Sequence, residues 1–190
     1  MAARVMSWTA MAMGAVVLGT AIWTAVALGR PQTHYGPPSA LVVAREQRAA
    51  AAFEQEPPDL EAAVLESREA LHDAPLSAAS WLRVAYAENL QRGAGEDPDT
   101  VLIEAIERSY AAQPLGPDVT DWRLSFAYEL WPYLPGPLRC RVNTEMQVLA
   151  STRTRRARRI AEAVSDPSGR LAAYMASHME NRTAPQIGGC

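Results

Sequence analysis

The chain has 190 residues, 48% of them hydrophobic, and a formal net charge of −3; all 18 basic residues are arginine. The absence of lysine excludes Schiff-base chemistry and lysine-bearing phosphate loops. Two cysteines, Cys140 and Cys190, are too few for a disulfide framework. A terminal cysteine in a Gly-rich tail is expected to stay mobile and unpaired.

Charge is unevenly spread. Residues 31–139 carry 17 acids and 8 arginines, a balance of −9, whereas residues 140–190 carry 4 acids and 8 arginines, a balance of +4. An acidic body with a basic end can dock on itself or present two faces to different partners.

Between Arg4 and Arg30 lie 25 residues without a charged side chain. A bilayer core needs about 20 mostly apolar residues per helical span, so residues 5–29 are expected to form a single transmembrane helix. Trp8 and Trp23 lie about 22 Å apart along such a helix, which suits indole rings near both interfaces. The short segment before the span favours an inside amino terminus and an outside carboxyl terminus. Ala25-Val26-Ala27 has the small-x-small form of a cleavage site, so a removed leader is the alternative; the apolar run is longer than a typical signal core.

Residues 31–39 read as a proline-rich spacer. Ser39 then offers an N-cap for a helix over Ala40–Gln55, with Pro57-Pro58 stopping it. Its Ala-rich middle has high helix propensity and little to bury, so residues 30–58 are expected to be spacer and stalk. A helix with Leu60, Ala63, Val64 and Leu71 on one face runs to Asp73. Ser77 caps the next, which is apolar nearly all round from Trp81 to Tyr86. Asp97 is expected to cap a third helix with Pro98 at its first position. A fourth covers Val119–Leu130, where Pro132 bars continuation. No segment alternates with period 2, and the chain is expected to be all-α.

Two stretches of this region look alike. Leu71-His-Asp-Ala-Pro-Leu followed by Trp81-Leu-Arg-Val-Ala-Tyr recurs as Tyr110-Ala-Ala-Gln-Pro-Leu followed by Trp122-Arg-Leu-Ser-Phe-Ala-Tyr, with tryptophans 41 residues apart. The pattern resembles the tetratricopeptide (TPR) family. Trp81, Val84 and Ala85 match that family's opening positions, and Ala63, Ala70 and Pro75 its closing helix. The spacing exceeds the family's 34 residues, and Glu88 stands at a usually aromatic position. The resemblance implies a TPR-like core over residues 59–134, a short stack of antiparallel helices. Two units are fewer than a free-standing solenoid needs, so flanking helices or another subunit must cover its ends. Residues 110–134 are also similar to TPR-like segments accompanying bacterial envelope-polysaccharide polymerases and ligases. The resemblance implies a concave groove for a partner segment, lined by Trp81, Tyr86, Trp122 and Phe126. Core packing is the competing role for these rings.

Residues 135–182 read as basic C-terminal helices. Leu138, Val142, Met146 and Leu149 form an apolar stripe. Arg153, Arg155, Arg156, Arg158 and Arg159 then wrap most of a continuous helix, leaving no single basic face. They are expected to reach the acidic body, or to contact an anionic lipid or polysaccharide. No aromatic platform or reading motif accompanies them, so nucleic acid is not expected. Asp166-Pro-Ser-Gly breaks the chain, a short helix with Leu171, Tyr174, Met175 and Met179 follows, and residues 183–190 are expected to be disordered.

His34, His72 and His178 lack a second ligand at helical spacing, so no metal is expected. No nucleophile elbow or phosphate loop occurs, and neither catalytic residues nor cofactors are expected. The sequence therefore points to a non-enzymatic, single-pass scaffold of a bacterial envelope assembly. Its body would be periplasmic, at the inner membrane, contacting other envelope proteins or further copies of itself. The alternative is a polyanion-binding accessory of surface polysaccharide biosynthesis or export.

Overall fold

A computed structural model of the chain describes residues 38–93 and 95–178. The expected membrane span, Met179 and the tail lie outside the described residues. These residues are all-α, with one 3-10 turn and no strand. Among them no helix is long and apolar enough to cross a membrane. They fall into two compact units that divide between Pro75 and Leu76.

The first unit is a hairpin of α1 (Pro38–Phe53) and α2 (Leu60–Asp73). Asp59 caps α2, its side chain accepting from the Ala62 amide at 3.0 Å. The stretch expected to be a stalk is instead packed. Ala44, Ala49 and Ala52 of α1 are buried, as are Ala63, Ser67, Ala70 and Leu71 of α2. Small residues with little apolar surface still let two helices approach closely, and that contact replaces the free helix the composition suggested. Ion pairs fix the antiparallel sense: Arg45 meets Asp73 at 2.5 Å and Glu69 at 3.5 Å, while Arg48, one turn on, meets Glu66 at 2.8 Å.

In the second unit, α3 (Ala78–Gln91) is capped by Ser77, which accepts from the Ser80 amide at 3.2 Å. It packs on α4 (Thr100–Ala112), burying Leu82, Val84 and Ala85 together with Leu102, Ala105, Ile106 and Tyr110. The cap of α4 is Asp99, not Asp97, and accepts from the Leu102 amide at 2.8 Å. Residues 93–96 are closed into a turn by the Gly93 amide on the Glu96 carboxylate and the Glu96 amide on the Gly93 carbonyl. Gly95 sits at φ 88° in that turn, a region other residues rarely adopt. With the turn extending this far, the helix starts later than Pro98.

Next come α5 (Thr120–Glu129), a 3-10 turn over Trp131–Tyr133, α6 (Gly136–Ala163) and α7 (Pro167–His178). On α6, Leu138, Val142, Met146 and Leu149 are buried as expected. The helix is not continuous: Arg153 leaves helical geometry at φ −143°, ψ 60°. The Ser151 and Thr152 hydroxyls donate to the Val148 carbonyl, and Thr154 to that of Ala150. Such back-bonding competes with the main-chain ladder and bends helices. Cys140 is disulfide-bonded rather than a free thiol, against the expectation from the tail's composition.

On α7, which forms as the short helix expected, Leu171, Tyr174 and Met175 are more than half exposed, and the buried face is Gly169, Ala173 and Ala176. A Cβ on Gly169 would lie 1.9 Å from the Tyr128 carbonyl oxygen and 3.2 Å from Cβ of Trp131. Only small residues permit this approach, so size rather than hydropathy selects the docking face. Asp166 caps the helix, its carboxylate accepting from the Gly169 amide at 2.7 Å. Glu129 in turn accepts from the Ser165 and Asp166 amides at 2.6 and 3.1 Å.

Gly169→Ala should therefore destabilise the second unit, although alanine is the better helix former by about 1 kcal/mol. Overpacking against backbone typically costs about 1–3 kcal/mol, and α7 should detach. Urea denaturation and limited proteolysis at residues 164–166 measure this; unchanged stability and cleavage would contradict the docking described.

Candidate functional site

The four rings expected to line a groove do not stand alone on a surface. Tyr86 of α3 meets Trp122 and Phe126 of α5 edge-on, with centroids 5.9 and 5.6 Å apart. Phe126 is buried, and Tyr86 and Trp122 are half-buried. T-shaped pairs of this kind join helices. Trp81 carries the Arg108 guanidinium of α4 at 5.5 Å from its ring centroid.

Behind these rings lies a polar network that the apolar patterns conceal. Arg123 of α5 is 0% exposed and Glu145 of α6 is 2% exposed. Arg123 Nη2 donates to Glu145 Oε1 at 2.6 Å and Nε to Oε2 at 3.1 Å, a two-point fork. Thr120 Oγ1 donates to Oε1 and the Tyr110 hydroxyl to Oε2, both at 2.8 Å. The remaining guanidinium hydrogens go to the carbonyls of Ser109 at 3.1 Å, Gln113 at 2.8 Å and Pro114 at 3.4 Å. All five arginine donors thus find acceptors. Those carbonyls end α4, where a cation satisfies orphan acceptors and opposes the helix dipole. The guanidinium also lies 4.0 Å over the Tyr110 ring.

Burial, reinforced by the Glu145 charge, pushes the hydroxyl of Tyr110 well above the ordinary tyrosine range. The same two causes raise Tyr128, whose hydroxyl lies 3.0 Å from Asn143 Oδ1.

A cleft of about 540 Å³ opens above this network. Leu115, Pro117, Val148 and Leu149 give it apolar walls, and Thr120, Glu145, Asp118, Thr152, Arg153 and Arg156 supply its polar lining. The five arginines expected to encircle one helix are divided between two sides. Arg153 and Arg156 line the cleft, with Arg156 held by both Asp121 carboxylate oxygens at 2.5 and 2.6 Å. Arg155, Arg158 and Arg159 face outward and are exposed. Arg158 pairs with Glu162 at 2.7 Å, and the bond to that carboxylate raises its pKa. Among the described residues Arg153, Arg155 and Arg159 have no ion-pair partner. The expectation that these arginines reach the acidic body is met by Arg156 alone.

Elsewhere, His72 lies 3.2 Å from Asp73 and His178 stacks on Tyr174 at 4.0 Å. No group of metal-binding side chains occurs among the described residues. Arg123 and Glu145 were missed by sequence reasoning, although a signal existed. Arg123 falls on the buried stripe Val119, Phe126, Leu130, and Glu145 falls three residues after Val142 on the stripe of α6. A charge inside an apolar stripe is rarely buried unless paired. The stripes do not reveal that the two charges pair with each other.

No family model, curated protein or solved structure matches this chain.

Removing one partner of a buried pair strands the other at a cost of about 3–5 kcal/mol. Arg123→Met should lower stability by that amount in urea titrations, and Arg123→Met with Glu145→Met should lose less than the single variant. Additive losses would mean the pair is not coupled. Alkaline pH offers a second check. Tyr110 and Tyr128 hold their protons to higher pH folded than unfolded, so their contribution is intact below about pH 10. It falls as pH rises beyond that, and Tyr128→Phe should weaken the fall measured by denaturation across this range.

Proposed function

We propose that this protein is a non-enzymatic, membrane-anchored scaffold of a bacterial envelope assembly, with residues 5–29 as its anchor and a periplasmic body of TPR-like helical hairpins. The uncharged run supports the anchor, and the consecutive pairing of α1 with α2 and α3 with α4 supports the hairpin reading. The cleft between the α4–α5 connection and α6 carries the functional reading. It combines apolar walls with a cation, Arg153, that has no ion-pair partner among the described residues. An apolar side chain seated on Leu115, Val148 and Leu149, with a neighbouring carboxylate on Arg153, matches that chemistry. A short acidic and apolar segment of another envelope protein supplies both. The ring cluster of Tyr86, Trp122 and Phe126 then holds α3 to α5 behind the cleft rather than receiving the segment.

A second reading, a polyanion-binding accessory of surface polysaccharide biosynthesis or export, is favoured by the outward Arg155 and Arg159. Salt separates the two, because exposed charge contacts are screened while a seated apolar side chain is not.

A photo-reactive residue placed at Leu115 should give a discrete adduct in native membranes that survives added salt and is lost in Arg153→Glu. Adducts indifferent to Arg153→Glu, or none, would refute a cleft-bound segment. Retention on anionic polysaccharide that disappears with salt and with Arg155→Gln and Arg159→Gln would favour the second reading.

A further inference from the structure

Leu171, Tyr174 and Met175 are 60%, 55% and 57% exposed and occupy one face of α7 at helical spacing. They are excluded from the core because the small face of the same helix docks instead. Beside them, Arg155, Arg158 and Arg159 share the outward face of the second half of α6, at spacings of three and four residues. α7 packs on α6, so the two exposed stripes lie on adjoining helices and border one surface. Arg170 is also exposed next to it. The acid on this surface is Glu162, which pairs with Arg158; both are more than half exposed, so the pair is weak and exchangeable.

An apolar stripe bordered by arginines, with a tyrosine between, has the chemistry of a bilayer interface. A soluble polyanion would use the arginines and leave Leu171 and Met175 in water. A second copy of the chain meeting through the same patch would set like arginines against each other. An anionic bilayer accommodates both parts, the aliphatic groups at the acyl boundary and the guanidinium groups among the headgroups.

We infer that the surface formed by α7 and the second half of α6 docks on an anionic phospholipid bilayer and sets how this unit lies on the membrane. The inference rests on the membrane-anchored reading above. An anchor raises the local lipid concentration, so the contact itself needs only modest strength.

The full-length chain, reconstituted in nanodiscs of phosphatidylcholine alone or mixed with phosphatidylglycerol, provides the test through amide exchange across residues 170–178. Exchange should be slower in the anionic disc. Each arginine near such a surface contributes about fivefold, so Arg155→Gln with Arg159→Gln should reduce the added protection by about 25-fold. Leu171→Ser with Met175→Ser should abolish it while leaving α4 exchange unchanged, since both residues are exposed. Equal exchange in the two discs overturns the inference. So does slow exchange without lipid that grows with protein concentration, or that a soluble anionic polysaccharide reproduces. Recovery with neither disc overturns the anchored reading as well, whereas recovery with unchanged α7 exchange overturns this inference alone.

Discussion

The second unit depends on an arginine that cannot leave the interior. Arg123 gives two hydrogens to Glu145 and three to the terminal carbonyls of α4, so one side chain ties three helices at one point. A buried pair is weak evidence for net stability, because desolvation cancels much of its attraction. What it adds is geometric. Five planar donors fit only one arrangement of α4, α5 and α6, whereas apolar side chains tolerate sliding. Thr120 and Tyr110 complete the carboxylate's coordination, and burial at this site raises the pKa of Tyr110.

That fixed point determines where the cleft opens. With Glu145 held in its lining, α6 runs beside the α4–α5 connection until the Ser151-Thr152-Arg153-Thr154 sequence turns it. Helical spacing puts two of the five arginines at the cleft rim and three facing away. The same cluster of charge thereby serves two surfaces of different chemistry, one recessed with apolar walls and one open and adjoining an apolar stripe.

Close approach is the second recurring constraint. In the first unit alanine faces bring α1 and α2 together, and in the second Gly169 brings α7 onto α5 and the 3-10 turn, with Ala173 and Ala176 buried on the same helix. In each place small side chains win over large apolar ones, because backbone contact over several residues gathers more dispersion than a few long side chains at a wider spacing. The consequence for α7 is that its larger apolar residues remain outside.

Much of this fold is legible in the sequence. Helical content follows from the absence of period-2 alternation, and the cap Ser77 and the breakers Pro57, Pro75 and Pro132 set most ends, because these effects act within a few residues. The stripe Leu138, Val142, Met146, Leu149 is legible for the same reason. The α4 cap at Asp99 was not, since it depends on how the preceding turn closes. Nor was the role of Arg123 and Glu145, the break at Arg153, or the face by which α7 docks. Local sequence fixes what each helix can present, but which of its faces is buried depends on partners 20 or more residues away, as for Arg123 with Glu145 and Gly169 with Tyr128. Only the assembled structure brings those partners within reach, so only it decides where a charge is satisfied and where a methyl group does not fit.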